Sequence, residues 1–346
     1  MSTEKITENK TDTGKHMFYF IVFLRLLATC LITNTHYNNV YPISSLAVGG
    51  LLGDVLFFAI SGYCYGKGPR ETSFIVWYAK RIVRIYPAML IMLIVNHFGG
   101  LWDYHSVGFF RYFIFPTSFL FYGSIMVIYI PVYFVGKVKN KHVFLSILIA
   151  CIFVWLIVYG FVLDKSSFFM QATDNISCQF LYLSAALFGM YFRKFKNVWQ
   201  LECKTARIVL SGAFVILCAV IYFAATVIIR KSPQLYPVQI VIQLLVLLLI
   251  LALMDTFARL ERHLKKTPNA IFRIVSFVAS LTLEIYAVQR ILIEYLEFLP
   301  FPVNWIIITA LIVVSAYGLK LLCNPIALRL NTWIDKNAKL FERNQK

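Results

Sequence analysis

The sequence predicts an all-α integral membrane protein with about ten transmembrane helices and both termini in the cytoplasm. Hydrophobic residues make up 60% of the 346 positions and charged ones 14%, so too few polar side chains exist to cover a soluble globule. Mean hydropathy is +0.73. Apolar runs near the length of about 20 residues that a bilayer requires recur along the whole chain. The basic residues alternate from one connection to the next in the way that fixes membrane orientation.

The runs lie at 17–36, 49–66, 85–102, 113–135, 143–163, 178–192, 208–229, 236–258, 274–296 and 303–323. An even number of spans puts both ends on one side. With the N-terminus inside, 26 of the 33 basic residues fall in inner segments and four in outer loops, with Arg25, Arg290 and Lys320 inside spans. Lys and Arg in short loops stay cytoplasmic, so the net charge of +17 collects on the inner face, where anionic lipid or an anionic small molecule meets it. No soluble basic domain is left to hold nucleic acid. The expected division is a cytoplasmic tail at 1–16, one membrane domain at 17–323 and a second cytoplasmic tail at 324–346. The first span reads as a retained helix and not a signal peptide, because no small-residue cleavage site follows it. The seven cysteines contain no CxxC, so neither a zinc site nor a disulfide framework is indicated.

Chemistry enters through charges on apolar runs. MFYFIVFLRLLATCLITNTHYNN, residues 17–39, carries Arg25 and His36. Ionisable groups at bilayer depth are costly and usually face protein or a water-filled cavity. Eleven residues at 100° each bring His36 back to within about 20° of the face of Arg25, some 16 Å along the axis. In the second span GDVLFFAISGY, residues 53–63, places Asp54 at a depth similar to His36. A carboxylate there would fix the imidazole tautomer and raise its basicity, as a general base requires. The bland alternative leaves His36 at a wet interface and pairs Asp54 with Arg25.

Residues 67–84, KGPRETSFIVWYAKRIVR, form a basic and aromatic inner segment that leads into Tyr86 and Pro87. Lys80, Arg81 and Arg84 cluster there, either as a positive-inside anchor or as a docking site for phosphates, which arginine binds bidentately. The ninth run contains SLTLEIYAVQ, with Glu284 near its middle, followed by Arg290 and Glu294. Arg290 and Glu294 have the spacing of an intrahelical ion pair. Glu284 has no local partner, and Arg25 at comparable depth is its expected mate.

Four of these stretches resemble the acyltransferase-3 family of membrane acyltransferases, which includes O-acetyltransferases of bacterial surface polysaccharides. Arg25 and His36 resemble its R-x10-H pattern. GDVLFFAISGY is similar to its second-span G-x-D-x-F-F-x-x-S-G segment through Asp54, Phe57, Phe58, Ser61 and Gly62. YAKRIVRIYP is similar to the R-R-x-x-R-I-Y-P block, with Lys80 in place of the first arginine. SLTLEIYAVQ resembles the late S-L-x-I-Y-L-x-H segment, with Gln289 where a histidine is common. Residues 116–131 lack the W-S-L-x-x-E signature of many members.

The resemblance implies a multi-pass enzyme of the bacterial plasma membrane with no permanently bound cofactor. It would take an acyl group, usually acetyl, from cytoplasmic acyl-CoA and pass it to a hydroxyl of a glycan or lipid-linked saccharide outside. Lys80, Arg81, Arg84 and Tyr86 would hold the CoA, Arg25 would guide the pantetheine arm, His36 would act as base or nucleophile and Asp54 would orient it. Two other readings are a transporter or flippase for a lipid-linked sugar, with Arg25, Asp54 and Glu284 on its path, and an inactive assembly partner, for which Gln289 is the hint.

Overall fold

A computed structural model describes residues 18–343, apart from 68–72, 102–104, 106–107, 115–118, 173, 197, 199–200, 202–203 and 297. The tail at 1–16 and the last three residues lie outside the described residues. Among the described residues the chain is helical, with no strand. The helices are α1 (Tyr19–Thr35), α2 (Gly50–Tyr65), α3 (Phe74–Phe98), α4 (Leu120–Gly136), α5 (Lys141–Phe161), α6 (Ile176–Phe195), α7 (Thr205–Lys231), α8 (Ile240–Arg259), the single turn α9 (Glu261–Leu264), α10 (Asn269–Ala279), α11 (Thr282–Leu296) and α12 (Val303–Arg343). By length and composition five of the described helical segments can cross a membrane, or six if α10 and α11 count as one bent span. Two further apolar helices, α1 and α4, are shorter than that measure requires.

The centre of the bundle is α2, which packs chiefly on α6 and α1. Gly62 and Gly189 permit the α2–α6 approach: a Cβ at either would stand 1.9 Å from a backbone oxygen of the other helix, Ala186 and Ala59 respectively. Small residues let membrane helices close in this way. At the periphery α5 and α7 turn large apolar side chains outward, Phe153 and Leu210 among them, as lipid-facing helices do.

Lys80, Arg81 and Arg84 lie in the inner part of α3, which starts at Phe74, where Ser73 caps the first turn through a hydrogen bond from the Val76 N–H at 3.4 Å. The run 274–296 is two helices bent by 66°, not one straight span. The freed backbone groups at the bend are met from elsewhere: Lys320 Nζ donates to Ser280 Oγ at 2.8 Å and to its carbonyl at 3.3 Å. Thr282 donates to the Ala279 carbonyl at 2.9 Å and shares a hydrogen bond with Thr29 at 2.8 Å. The segment after 323 continues α12 to Arg343, with Pro325 inside the helix.

The first turn of α1 has no cap of its own. The buried carboxylate of Glu261 supplies one, accepting from the N–H groups of Tyr19 at 3.2 Å and Phe20 at 2.8 Å.

Candidate functional site

α1 ends at Thr35, and His36 sits at its C-cap with its backbone N–H on the Thr33 carbonyl at 3.0 Å. Asn34 pins the following loop over this end. Its amide donates to the carbonyls of Leu46 and Val48 at 2.8 and 3.0 Å, and its oxygen accepts from Tyr41 at 2.7 Å. His36, Asn38 and Asn39 then face Arg290, Ile293 and Glu294 of α11 across a cavity of about 430 Å³. A titratable ring therefore stands at an opening lined by amides, a guanidinium and a carboxylate, groups that can orient a polyhydroxylated acceptor.

Asp54 is not the partner of that ring. Its carboxylate accepts a hydrogen bond from Tyr182 of α6 at 3.2 Å, and among the described residues no hydrogen bond or ion pair joins it to His36. The charged side chains that share the cavity with the imidazole are Arg290 and Glu294. The reason is the rotation of α2. Gly53 is the residue pressed on α1, since a Cβ there would come within 2.8 Å of Ile32 and 2.9 Å of the Ala28 carbonyl. One residue further, and 100° round the helix, Asp54 is aimed at α6 instead.

Glu284 also has a different mate. Its buried carboxylate accepts from Nη1 of Arg84 at 2.8 Å, and Arg25 reaches Cys64 Sγ at 3.7 Å. Arg290 and Glu294 both line the cavity.

At the opposite end of α1 the basic residues are sorted by partner. Lys80 forms an ion pair with Asp335 on the extended part of α12. Arg84 is held by Glu284. Arg81 lies over the rings of Tyr65 at 4.7 Å and Trp77 at 5.0 Å, with its Nε buried and without a hydrogen-bond partner. Tyr86 donates to the carbonyl of Phe113. The sequence reading missed Arg193, which looked like one more inner-loop cation; its guanidinium donates to Tyr63 at 3.1 Å and covers the rings of Phe18 and Tyr63 at 4.5 and 5.1 Å. Among the described residues no group of three His, Cys, Asp or Glu side chains is arranged to hold a metal ion.

Residues 18–323 match the family model of an acyltransferase domain, Acyl_transf_3. The chain belongs to the acyltransferase-3 family. No curated protein and no solved structure matches it. The matched range runs from the residue before α1 into the middle of α12, so it takes in both the His36 cavity and the arginine-rich end. Membership, with the apolar helices, makes the chain a multi-pass membrane acyltransferase. Within the acyltransferase-3 pattern, Gln289 fills the place where a histidine is common. It is buried and accepts from Thr33 Oγ1 at 2.9 Å, one turn before His36.

Proposed function

We propose that this acyltransferase takes an acetyl group from cytoplasmic acetyl-CoA and transfers it to a hydroxyl of a cell-surface or lipid-linked glycan in a bacterial plasma membrane. The observation that carries the reading is the separation of two unlike sites on one helix: α1 runs from an arginine-rich end to the His36 cavity, roughly 25 Å apart at 1.5 Å per residue. A donor with phosphates and a long thin arm suits that distance, and its head would enter near Lys80, Arg81, Arg84 and Tyr86. The proposal includes ten spans, with α1 and α4 among them and α10–α11 as one broken span, and both termini in the cytoplasm, so that the 26 inner basic residues face the donor.

In the transfer the acceptor oxygen bonds to the acyl carbon as the thioester C–S bond breaks. His36 takes the hydroxyl proton and returns it to the departing thiolate. Arg25, facing Cys64, lies on the way between the two ends and would steer the arm. Asp54 acts through Tyr182 on the packing of α2 and α6 and not through the imidazole.

A transport reading would make use of the broken pair α10–α11, yet carbonyls at that break are taken up within this chain, Ser280 by Lys320 and Ala279 by Thr282. The deciding experiment measures CoA release and labelled acetyl transfer to a cell-surface glycan in proteoliposomes, for the natural protein and His36→Ala. Transfer that vanishes in a folded His36→Ala protein is expected. Sound protein that consumes no acyl-CoA, or full transfer without His36, overturns the reading.

A further inference from the structure

The last turn of α2 presents three consecutive side chains to three arginines from three other helices. Tyr63 takes Arg193 of α6 at 3.1 Å, Cys64 takes Arg25 of α1 at 3.7 Å, and Tyr65 lies under Arg81 of α3 at 4.7 Å. No carboxylate among the described residues forms an ion pair with any of the three. Their nearby cations differ in this respect, since Lys80 is tied to Asp335 and Arg84 to Glu284.

The three arginines are half-buried with no ion-paired carboxylate among the described residues, and the helix terminus does not balance their charge. The C-terminal end of α2 offers about half a negative charge against three positive ones. The aromatic faces of Tyr65 and Trp77 hold the guanidinium of Arg81, and those of Tyr63 and Phe18 hold that of Arg193, by cation–π contact that leaves their charge intact. Arg81 even keeps a buried Nε with no hydrogen-bond acceptor. The turn is also open, because Cys64 between the two tyrosines is exposed. Three guanidiniums held at one turn with an exposed residue, and with no ion-paired carboxylate among the described residues, suit a ligand with several phosphate oxygens.

Resting on the donor assignment above, we propose that the Tyr63–Cys64–Tyr65 turn is the phosphate-binding site for the acyl donor, and that Arg193 is a donor-binding residue together with Arg81 and Arg25. Lys80 and Arg84 then serve as ties between helices at its rim.

The test compares acetyl-CoA with S-acetyl-pantetheine, which carries the same thioester without phosphates, in the natural protein, Arg193→Gln and Arg193→Lys. CoA binding to the full chain is measured alongside by calorimetry in phosphatidylcholine nanodiscs with and without phosphatidylglycerol. Arg193→Gln is expected to raise KM for acetyl-CoA and weaken CoA binding about tenfold or more, as loss of one charged hydrogen-bonding partner does. It should cost far less with acetyl-pantetheine, and Arg193→Lys should recover part of the loss. An equal loss with both donors, or unchanged CoA affinity, overturns the proposal. Phosphatidylglycerol that competes with CoA in the natural protein, while Arg193→Gln keeps its CoA affinity, assigns the turn to a lipid headgroup and overturns it as well. Arg193-dependent CoA binding without acyl transfer keeps this site and removes the acetyl-transfer reading; transfer that ignores Arg193 does the reverse.

Discussion

Arg84 of α3 and Glu284 of α11, 200 positions apart, meet at 2.8 Å, with the arginine 43% exposed and the carboxylate fully buried. Such a pair is unequal in what its loss costs. Removing Arg84 strands a buried charge, whereas removing Glu284 frees a cation that already touches solvent. Arg84→Ala is therefore expected to destabilise the protein by about 3 kcal/mol, Glu284→Ala by less, and the double variant by less than Arg84→Ala alone. Thermal unfolding in detergent across the double-mutant cycle checks it, and additive losses would count against a coupled pair.

The reciprocal approach of Gly62 and Gly189 makes a sharper packing prediction. A methyl group at either position meets a backbone oxygen at 1.9 Å, which no rotamer change relieves. Gly62→Ala and Gly189→Ala should each cost about 2 kcal/mol or more by forcing α2 from α6. Both should also lower activity, because the Tyr182–Asp54 and Arg193–Tyr63 hydrogen bonds span the same two helices. Gly212→Ala on α7, where nothing lies within 4 Å of the added carbon, should leave the melting temperature unchanged or raise it slightly.

The helix positions were legible because apolar runs of bilayer length admit few other structures, and His36 stood out as an ionisable residue at a span end. The partners of the charges were not legible. They depend on how each helix is rotated, and the rotation of α2 is fixed by Gly53 lying against Ala28 and Ile32, a contact that no sequence period reports. The bend at Ser280 was hidden for a similar reason: hydropathy runs unbroken through it, while the Lys320 ammonium that meets the Ser280 carbonyl comes from a distant segment. Arg193 was overlooked because positive-inside bias makes any inner-end arginine look like an anchor.

The Glu261 carboxylate that caps α1 should be worth about 1–2 kcal/mol, since it satisfies two terminal N–H groups and meets the positive end of the helix dipole. Glu261→Ala should lower stability by that amount. Glu261→Gln should recover part of it, because one amide oxygen can still accept but the charge is gone. Equal losses for the two variants would mean that charge contributes little. Lys80–Asp335 provides the contrast: it is a partly exposed pair, so Asp335→Asn should change stability by no more than about 1 kcal/mol.

Gln289 bears on catalysis through position. Its side chain holds Thr33 at 2.9 Å, and the carbonyl of Thr33 receives the backbone N–H of His36 at 3.0 Å, so α11 fixes the turn that carries the proposed base. Removing the side chain leaves the half-buried Thr33 hydroxyl without its partner, a loss of about 1 kcal/mol in stability. The larger effect should be kinetic, because a base that wanders by an ångström forfeits much of the advantage of orientation. Gln289→Ala is thus expected to lower kcat at least tenfold while leaving KM for acetyl-CoA unchanged, the donor head being bound at the far end of α1. Gln289→His, which installs the residue common in the family, keeps a ring nitrogen able to accept from Thr33 and should stay closer to the natural protein. Full activity in Gln289→Ala, or a matching rise in KM, would remove Gln289 from the positioning of His36.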